Sequence, residues 1–196
     1  MKLCVFQGTF NPIHNAHLGA AKYIIEKLHY DKVIFIPAFR PPHKDYKENY
    51  SIHRLNMVKL ALEGNPHFIV SDIEFKRCDT SYTYMTICEL YKSFAVEGKI
   101  KFIIGTDAFK RIESWYNADE LKKLVDFIVF IRENNFNPDE FINLKEKGYS
   151  FEFMPMEFND ISSTEIRERI KDGRSVTGLV PEKVEEYIKE NELYKD

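Results

Sequence analysis

Cysteine, glycine, proline and tryptophan are all scarce in this chain of 196 residues: it has three, eight, eight and one. The cysteines are Cys4, Cys78 and Cys88, an odd number with no C-x-x-C among them. That excludes a disulfide framework and a four-cysteine zinc site, and a reducing compartment is expected. Little glycine and proline beside 16 Phe and 11 Tyr excludes collagen-like and disordered classes. Long apolar runs are missing too. The N-terminus MKLCVFQGTF lacks the apolar stretch of a signal peptide. Val125–Ile131 is interrupted by Asp126 and is too short to span a bilayer. The sequence therefore reads as cytoplasmic, with no membrane partner. Nor is there an excess of positive charge: 28 Lys and Arg against 31 Asp and Glu leave a net charge of −3. No nucleic-acid partner is expected from that balance, although a local basic loop could still hold phosphates.

What is present is an ordinary globular mixture, 44% hydrophobic and 30% charged, of a length that suits one domain. Short apolar runs alternate with amphipathic stretches. Lys2–Gln7, Lys32–Ala38, His67–Ile73, Lys101–Ile104 and Leu124–Ile131 read as strands. Asn15–Tyr30, Ile52–Leu62 (ended by Gly64) and Tyr82–Phe94 read as helices. Three more helix starts carry explicit signals: Asn137-Pro138-Asp139-Glu140, the capping box Ser162-Ser163-Thr164-Glu165, and Pro181. Alternation of strand and helix predicts an α/β fold with a parallel sheet and right-handed crossovers. Phe39–Tyr50 is the clearest exposed loop, polar and locally basic.

In a doubly wound sheet, ligands bind at the carboxyl ends of the strands, where the strand order reverses. The first strand-to-helix turn here is GTFNPIHNAH, residues 8–17. It contains neither G-x-G-x-x-G nor a P-loop. Two histidines, His14 and His17, flank a helix N-terminus instead. Backbone N–H groups and the helix dipole favour anions there, and imidazoles add donors for phosphate oxygens. Taken alone, the pair could equally cap the helix or pack against it, or supply two ligands of a metal site that lacks a third.

GTFNPIHNAHL resembles the G-x-F-D/N-P-x-H-x-G-H segment of the nucleotidyltransferase superfamily related to class I aminoacyl-tRNA synthetases. Ile161-Ser162-Ser163-Thr164-Glu165-Ile166-Arg167 resembles its second phosphate-binding motif, I-S-S-T-x-I-R. Four further pieces resemble the nicotinate mononucleotide adenylyltransferases within it: Pro41-Pro42-His43-Lys44, Ser81-Tyr82-Thr83 with Thr86, Ile104-Gly105-Thr106-Asp107 with Trp115-Tyr116, and Leu179-Val180-Pro181 with Val184, Tyr187 and Ile188. The resemblance implies a Rossmann-like doubly wound parallel sheet flanked by helices. Residues 1–196 would form a single nucleotidyltransferase domain, with a C-terminal helical part over about 163–196.

The resemblance also implies the reaction and a division of labour. ATP and nicotinate mononucleotide would give deamido-NAD and pyrophosphate by direct in-line attack, with Mg²⁺ carried mainly on the ATP phosphates. No metal-ligating residue is implied. His14, His17, Lys44 and Arg167 would be the catalytic set. Gly8, Thr9, Phe10, Gly105, Asp107, Ile161, Ser163 and Thr164 would join His14, His17 and Arg167 around ATP. His43, Lys44, Thr83, Asp107, Trp115, Tyr116 and Arg132 would hold the acceptor. Plainer roles stand beside these: Trp115 as core, Asp107, Ser81 and Thr83 as helix caps, His43 and Lys44 as solvated loop.

Three departures from the pattern bear on the nucleotide contacts. Gln7 stands where Gly is common. Asn11 replaces the frequent Asp, removing a negative charge. Ala16 replaces Gly, and its methyl would narrow the backbone's approach to the nucleotide. Alternative acceptors are nicotinamide mononucleotide and phosphopantetheine. A nucleotide sensor without catalysis and an RNA-binding relative are readings of other classes. A homo-oligomer is compatible with the sequence.

Overall fold

The computed structural model describes residues 2–42, 48–133, 135–155 and 161–195, without the side chains of residues 48 and 49. Among these residues six strands form one parallel sheet: β1 (Leu3–Gly8), β2 (Lys32–Pro37), β3 (Phe68–Val70), β4 (Ile100–Gly105), β5 (Val125–Phe130) and β6 (Phe151–Met154). Their order is β3-β2-β1-β4-β5-β6. Every pairing is parallel. The order reverses between β1 and β4, so the crevice for a ligand opens beyond Gly8 and Gly105, at their carboxyl ends.

Helices cover both faces: α1 (Asn15–Leu28), α2 (Glu48–Leu62), α3 (Ile73–Arg77), α4 (Thr83–Ser93), α5 (Thr106–Phe109), α6 (Ala118–Leu124), α7 (Ile142–Glu146), α8 (Ser163–Lys171) and α9 (Glu182–Glu190). The period of two along each strand divides the core. Cys4, Val33, Phe35, Ile103 and Ile128 face one cluster, which also takes Ala20 and Ile24 of α1, Ile166 of α8, and Val184 and Ile188 of α9. Leu3, Val5, Ile34, Ile36, Phe102 and Phe127 face the other, with Ile87 and Leu90 of α4 and Leu121 of α6. The strands are thus apolar on both sides, as a covered parallel sheet requires.

The expected strand over residues 67–73 shortens to three residues, because Asp72 and Ile73 turn into α3. Strand β6 and helices α3 and α6 were not expected; each is seven residues or fewer, too short for a clear period. Asn137 does cap a turn, its side chain accepting from the Asp139 N–H, but that turn is a 3₁₀ helix over Pro138–Phe141. No helix among the described residues is long and apolar enough to cross a membrane.

Candidate active site

The turn after β1 begins with a close approach. A Cβ on Gly8 would meet the Phe10 ring at 3.0 Å. Phe10 itself adopts a φ of +49°, with its ring buried edge-on against Phe6 and His17. Packing in the core holds that left-handed backbone, which a bulky residue seldom adopts on its own. The peptide bond from Asn11 to Pro12 is cis.

His14 then caps α1. It is 3% exposed, and its ring stacks on His17 at 3.6 Å between centroids. The backbone N–H of His14 donates to Nδ1 of His17 at 3.2 Å. An N–H can only donate, so that Nδ1 must be the unprotonated nitrogen and the His17 proton must sit on Nε2. That contact places Nδ1 of His17 toward the turn's own backbone. Burial first, and then the Arg132 charge, push the His14 pKa down to about 3. His14 is neutral at physiological pH, and its buried Nδ1 has no hydrogen-bond partner among the described residues. A buried polar atom without a partner fits a site completed by a polar ligand.

The far end of the chain closes on this turn. Ser162 caps α8 by accepting from the Glu165 N–H, as its capping box predicts. That frees Ser163, whose hydroxyl donates to the Pro12 carbonyl at 2.9 Å. Arg167 donates through Nη1 to the Asn11 carbonyl at 2.8 Å and through Nη2 to the Thr164 hydroxyl at 3.3 Å. Ile161, 8% exposed, packs in the core beneath. The two motifs thus meet across about 150 residues of chain.

Across the switch point lies a second group. A Cβ on Gly105 would meet Asp107 Oδ1 at 2.9 Å and Arg132 Cδ at 3.0 Å. Asp107 lies within the first turn of α5, where Gly105 is the cap, and it pairs with Arg132 at 3.5 Å. The backbone N–H of Arg132 donates to the Thr106 hydroxyl, which bonds Glu133 in turn. The Arg132 charge also acts on His14, so this group lies within electrostatic reach of the histidine pair.

The third group surrounds the start of α4. Thr83 is its first helical residue, and Tyr82 before it packs on Tyr116 with ring centroids 4.6 Å apart. Trp115 is partly buried, its edge on the core ring of Phe102 at 6.0 Å, while Tyr116 is 48% exposed. Trp115 thus has a packing role as well as a free portion. Ser81 does not cap α4: its hydroxyl accepts from the Arg40 N–H at 3.0 Å. His43 and Lys44 lie outside the described residues.

Sequence reasoning assigned nothing to Arg54 and Glu74, two buried charges behind these groups. Arg54 of α2, 4% exposed, donates to the carbonyls of Thr9, Ala38 and Phe39 at 2.8, 2.5 and 3.1 Å. It ties the turn after β1 to the chain leaving β2. Glu74 of α3 is fully buried. Its carboxylate accepts from Gln7 Nε2 at 2.5 Å, the Thr86 hydroxyl at 2.6 Å and the Phe39 N–H at 3.2 Å, with Arg77 at 3.9 Å. Burial raises its pKa against these stabilising contacts. An arginine on an otherwise core-facing helix stretch was the available signal for Arg54; Glu74 gave none.

The three departures acquire reasons. Gln7 is the partner of Glu74. The Asn11 side chain accepts from the Tyr194 hydroxyl at 2.6 Å. Ala16 is 1% exposed, and its methyl packs within the core cluster.

A model of the cytidylyltransferase-like family matches residues 5–169. A relative from Clostridium botulinum named "Probable nicotinate-nucleotide adenylyltransferase" is 41% identical over 197 residues, covering 97% of this chain and 98% of the relative. One of the same name from Caldicellulosiruptor bescii is 41% identical over the full length of both. Among solved structures, the nicotinic acid mononucleotide adenylyltransferase of Plasmodium falciparum, complexed with NaAD, superposes with a TM-score of 0.79. It is 20% identical and covers 98% of this chain and 97% of its own, a likeness of fold.

Proposed function

The chain belongs to the cytidylyltransferase-like family and, within it, to the nicotinate-nucleotide adenylyltransferases, and from that premise we propose that it joins ATP to nicotinate mononucleotide. A phosphate oxygen of the acceptor attacks the α-phosphorus of ATP in line. The bond from that phosphorus to the β-phosphate bridging oxygen breaks, and deamido-NAD and pyrophosphate leave. The attacking oxygen is already ionised near neutral pH, so no protein nucleophile or general base is needed. The work of the protein is positioning and stabilisation of charge on the phosphoryl oxygens. The observation that carries the reading is the meeting of Ser163 and Arg167 with the turn that bears His14 and His17, at the switch point of the sheet.

We assign roles on that basis. The turn from Gly8 through Phe10, with the N-terminus of α1, takes the ATP phosphates. His17 offers its Nε2–H to a phosphate oxygen, a neutral donor whose tautomer the His14 N–H enforces. Neutral His14 completes the pair. Ser163, Thr164 and Arg167 brace the turn and face the leaving pyrophosphate, beside Ile161. Gly105 leaves room for a ribose next to Asp107, and Arg132 faces the acceptor phosphate. Thr83, at the open N-terminus of α4, and Tyr116 receive the nicotinate carboxylate on backbone donors, beside Trp115. Donors facing a carboxylate favour the acid over the amide. His43 and Lys44 are assigned to the phosphates from sequence alone.

Mg²⁺ fits as an ion carried by the substrate. Among the described residues no group of three or more His, Cys, Asp or Glu is placed to hold a metal ion, and magnesium keeps phosphate and water ligands readily. When bound it would neutralise phosphate charge. The burial of α8 and α9 residues with those of α1 supports one domain over 1–196, with 163–196 as its helical end. A soluble cytoplasmic enzyme acting on small molecules, with no nucleic-acid partner, is the matching cellular reading.

The test is pyrophosphate release from ATP and Mg²⁺ with nicotinate mononucleotide, nicotinamide mononucleotide or phosphopantetheine as acceptor. Strong preference for the acid is expected. Equal turnover of the amide would remove the roles given to Thr83 and Tyr116, and silence with all three would remove the reaction.

A further inference from the structure

Tyr194 lies in the tail that follows α9, yet it is 7% exposed and belongs to the core cluster beneath α1. The tail is held in an unusual shape. Glu192 and Tyr194 have φ values of +53° and +64°, a region that residues other than glycine seldom enter unless the surroundings fix them. Leu193 between them is buried, and its N–H donates to the Ile188 carbonyl at 3.1 Å. The Tyr194 ring packs on Tyr50 of α2 with centroids 5.6 Å apart. Its hydroxyl then reaches back across 183 residues to donate to Asn11 Oδ1 at 2.6 Å. Packing alone does not account for that contact, because a phenylalanine would fill the same volume.

Asn11 has few other ways to be placed. Its carbonyl is taken by Arg167, and the carbonyl of Pro12 by Ser163. With the Tyr194 bond added, backbone and side chain of Asn11 are both fixed, three residues before the His14 cap. We infer that Tyr194 is a positioning residue for the donor nucleotide: its hydroxyl holds the Asn11 side chain, and through it the turn between β1 and α1, in the arrangement that receives the ATP phosphates. The inference rests on the assignment of that turn to ATP. It gives the asparagine at position 11 a purpose, since an amide oxygen accepts from a phenol without adding negative charge beside the phosphates.

The experiment compares wild type with Tyr194→Phe, which deletes one oxygen and keeps the ring. The affinity for ATP with Mg²⁺, by calorimetry without acceptor, should fall about fivefold, as the loss of one hydrogen bond predicts. In turnover assays KM for ATP should rise in step, with KM for the acceptor nearly unchanged and the melting temperature lowered by only a few degrees. In an Asn11→Ala background the same substitution should have little further effect, because its partner is gone. Unchanged ATP affinity in Tyr194→Phe overturns the inference. So do additive effects of the two substitutions, or a larger fall in melting temperature with parallel rises in both KM values. Failure of the wild type to turn over any acceptor would overturn the proposed reaction but leave the calorimetric result standing on its own.

Discussion

The turn after β1 is braced from the far end of the chain: Ser163, Arg167 and Tyr194 reach Pro12 and Asn11 across more than 150 residues. The corner where α3 passes into α4 is braced over shorter separations by Glu74, which accepts from Thr86 twelve residues on and from Phe39 and Gln7, 35 and 67 residues back. The turn is held mainly through its carbonyls, which are satisfied by a guanidinium, a hydroxyl and, at Thr9, the buried Arg54. The corner is held by one carboxylate that gathers three donors. The difference matches the proposed ligands. A polyphosphate needs donors and cations around it, and a carboxylate placed there would repel it. The acceptor's pyridine ring needs a firmly placed helix start and aromatic walls, which a buried acid can support from behind without touching the ligand.

The sharpest break in the comparison is His17→Ala. Turnover should fall by about 10²-fold or more, as for loss of one preorganised donor to a phosphoryl oxygen, without unfolding the protein. Near-normal turnover would strip the turn of its assigned role. The corner should fail differently. Glu74→Ala leaves the Gln7 amide, the Thr86 hydroxyl and the Phe39 N–H without their buried acceptor, at a cost of about 2–3 kcal/mol in unfolding free energy. Glu74→Gln should recover most of it, since the Gln7 amide and the Thr86 hydroxyl can each turn to accept from the new amide. Equal losses in the two variants would mean that charge, rather than acceptor geometry, holds the corner.

The third prediction concerns pH. The folded pKa of His14 is about 3 against an ordinary 6.5, so between these values the unfolded chain binds a proton that the folded chain does not. The contribution is complete above pH 6.5 and is lost as the pH falls toward 3, by up to about 1.4 kcal/mol per pH unit from this group. Denaturant midpoints taken between about pH 7.5 and about pH 5 should drop more in wild type than in His14→Gln. Parallel slopes would show that His14 titrates normally and that the turn tolerates a charged imidazole. The smallest effect is at the corner's aromatic wall. Trp115→Ala should weaken acceptor binding by about 0.5–1.5 kcal/mol and also lower the melting temperature through the lost edge contact with Phe102. A fall in melting temperature alone would make Trp115 core only.

Elements with a full period were readable from sequence. β1, β2, β4 and β5 are apolar runs buried on both faces, α1 and α4 begin and end within two residues of their expected limits, and α8 begins at its expected capping box. Short elements were not. Phe151–Met154 is an edge strand of four residues whose partner, β5, lies distant in sequence, and only pairing makes it a strand. The candidate site was legible where its residues form contiguous motifs, as at residues 8–17 and 161–167, which the structure brings together. It was illegible at Arg54, Glu74 and Tyr194. Their significance lies in which backbone groups they meet, and no local spacing records that.

By itself the sequence determined the alternation of strand and helix, the apolar strands of a covered parallel sheet and the starts of the helices after residues 14 and 162. These follow from local periodicity and capping, which act over one or two turns of chain. Only the tertiary structure decided the strand order, with its crevice between β1 and β4. Only it brought Arg167, Ser163 and Tyr194 onto one turn, set the His17 tautomer, and buried Glu74 behind the α4 start. Those outcomes depend on burying two apolar faces of one sheet at once, and the partners that satisfy each enclosed polar group are fixed only when the whole chain has closed around them.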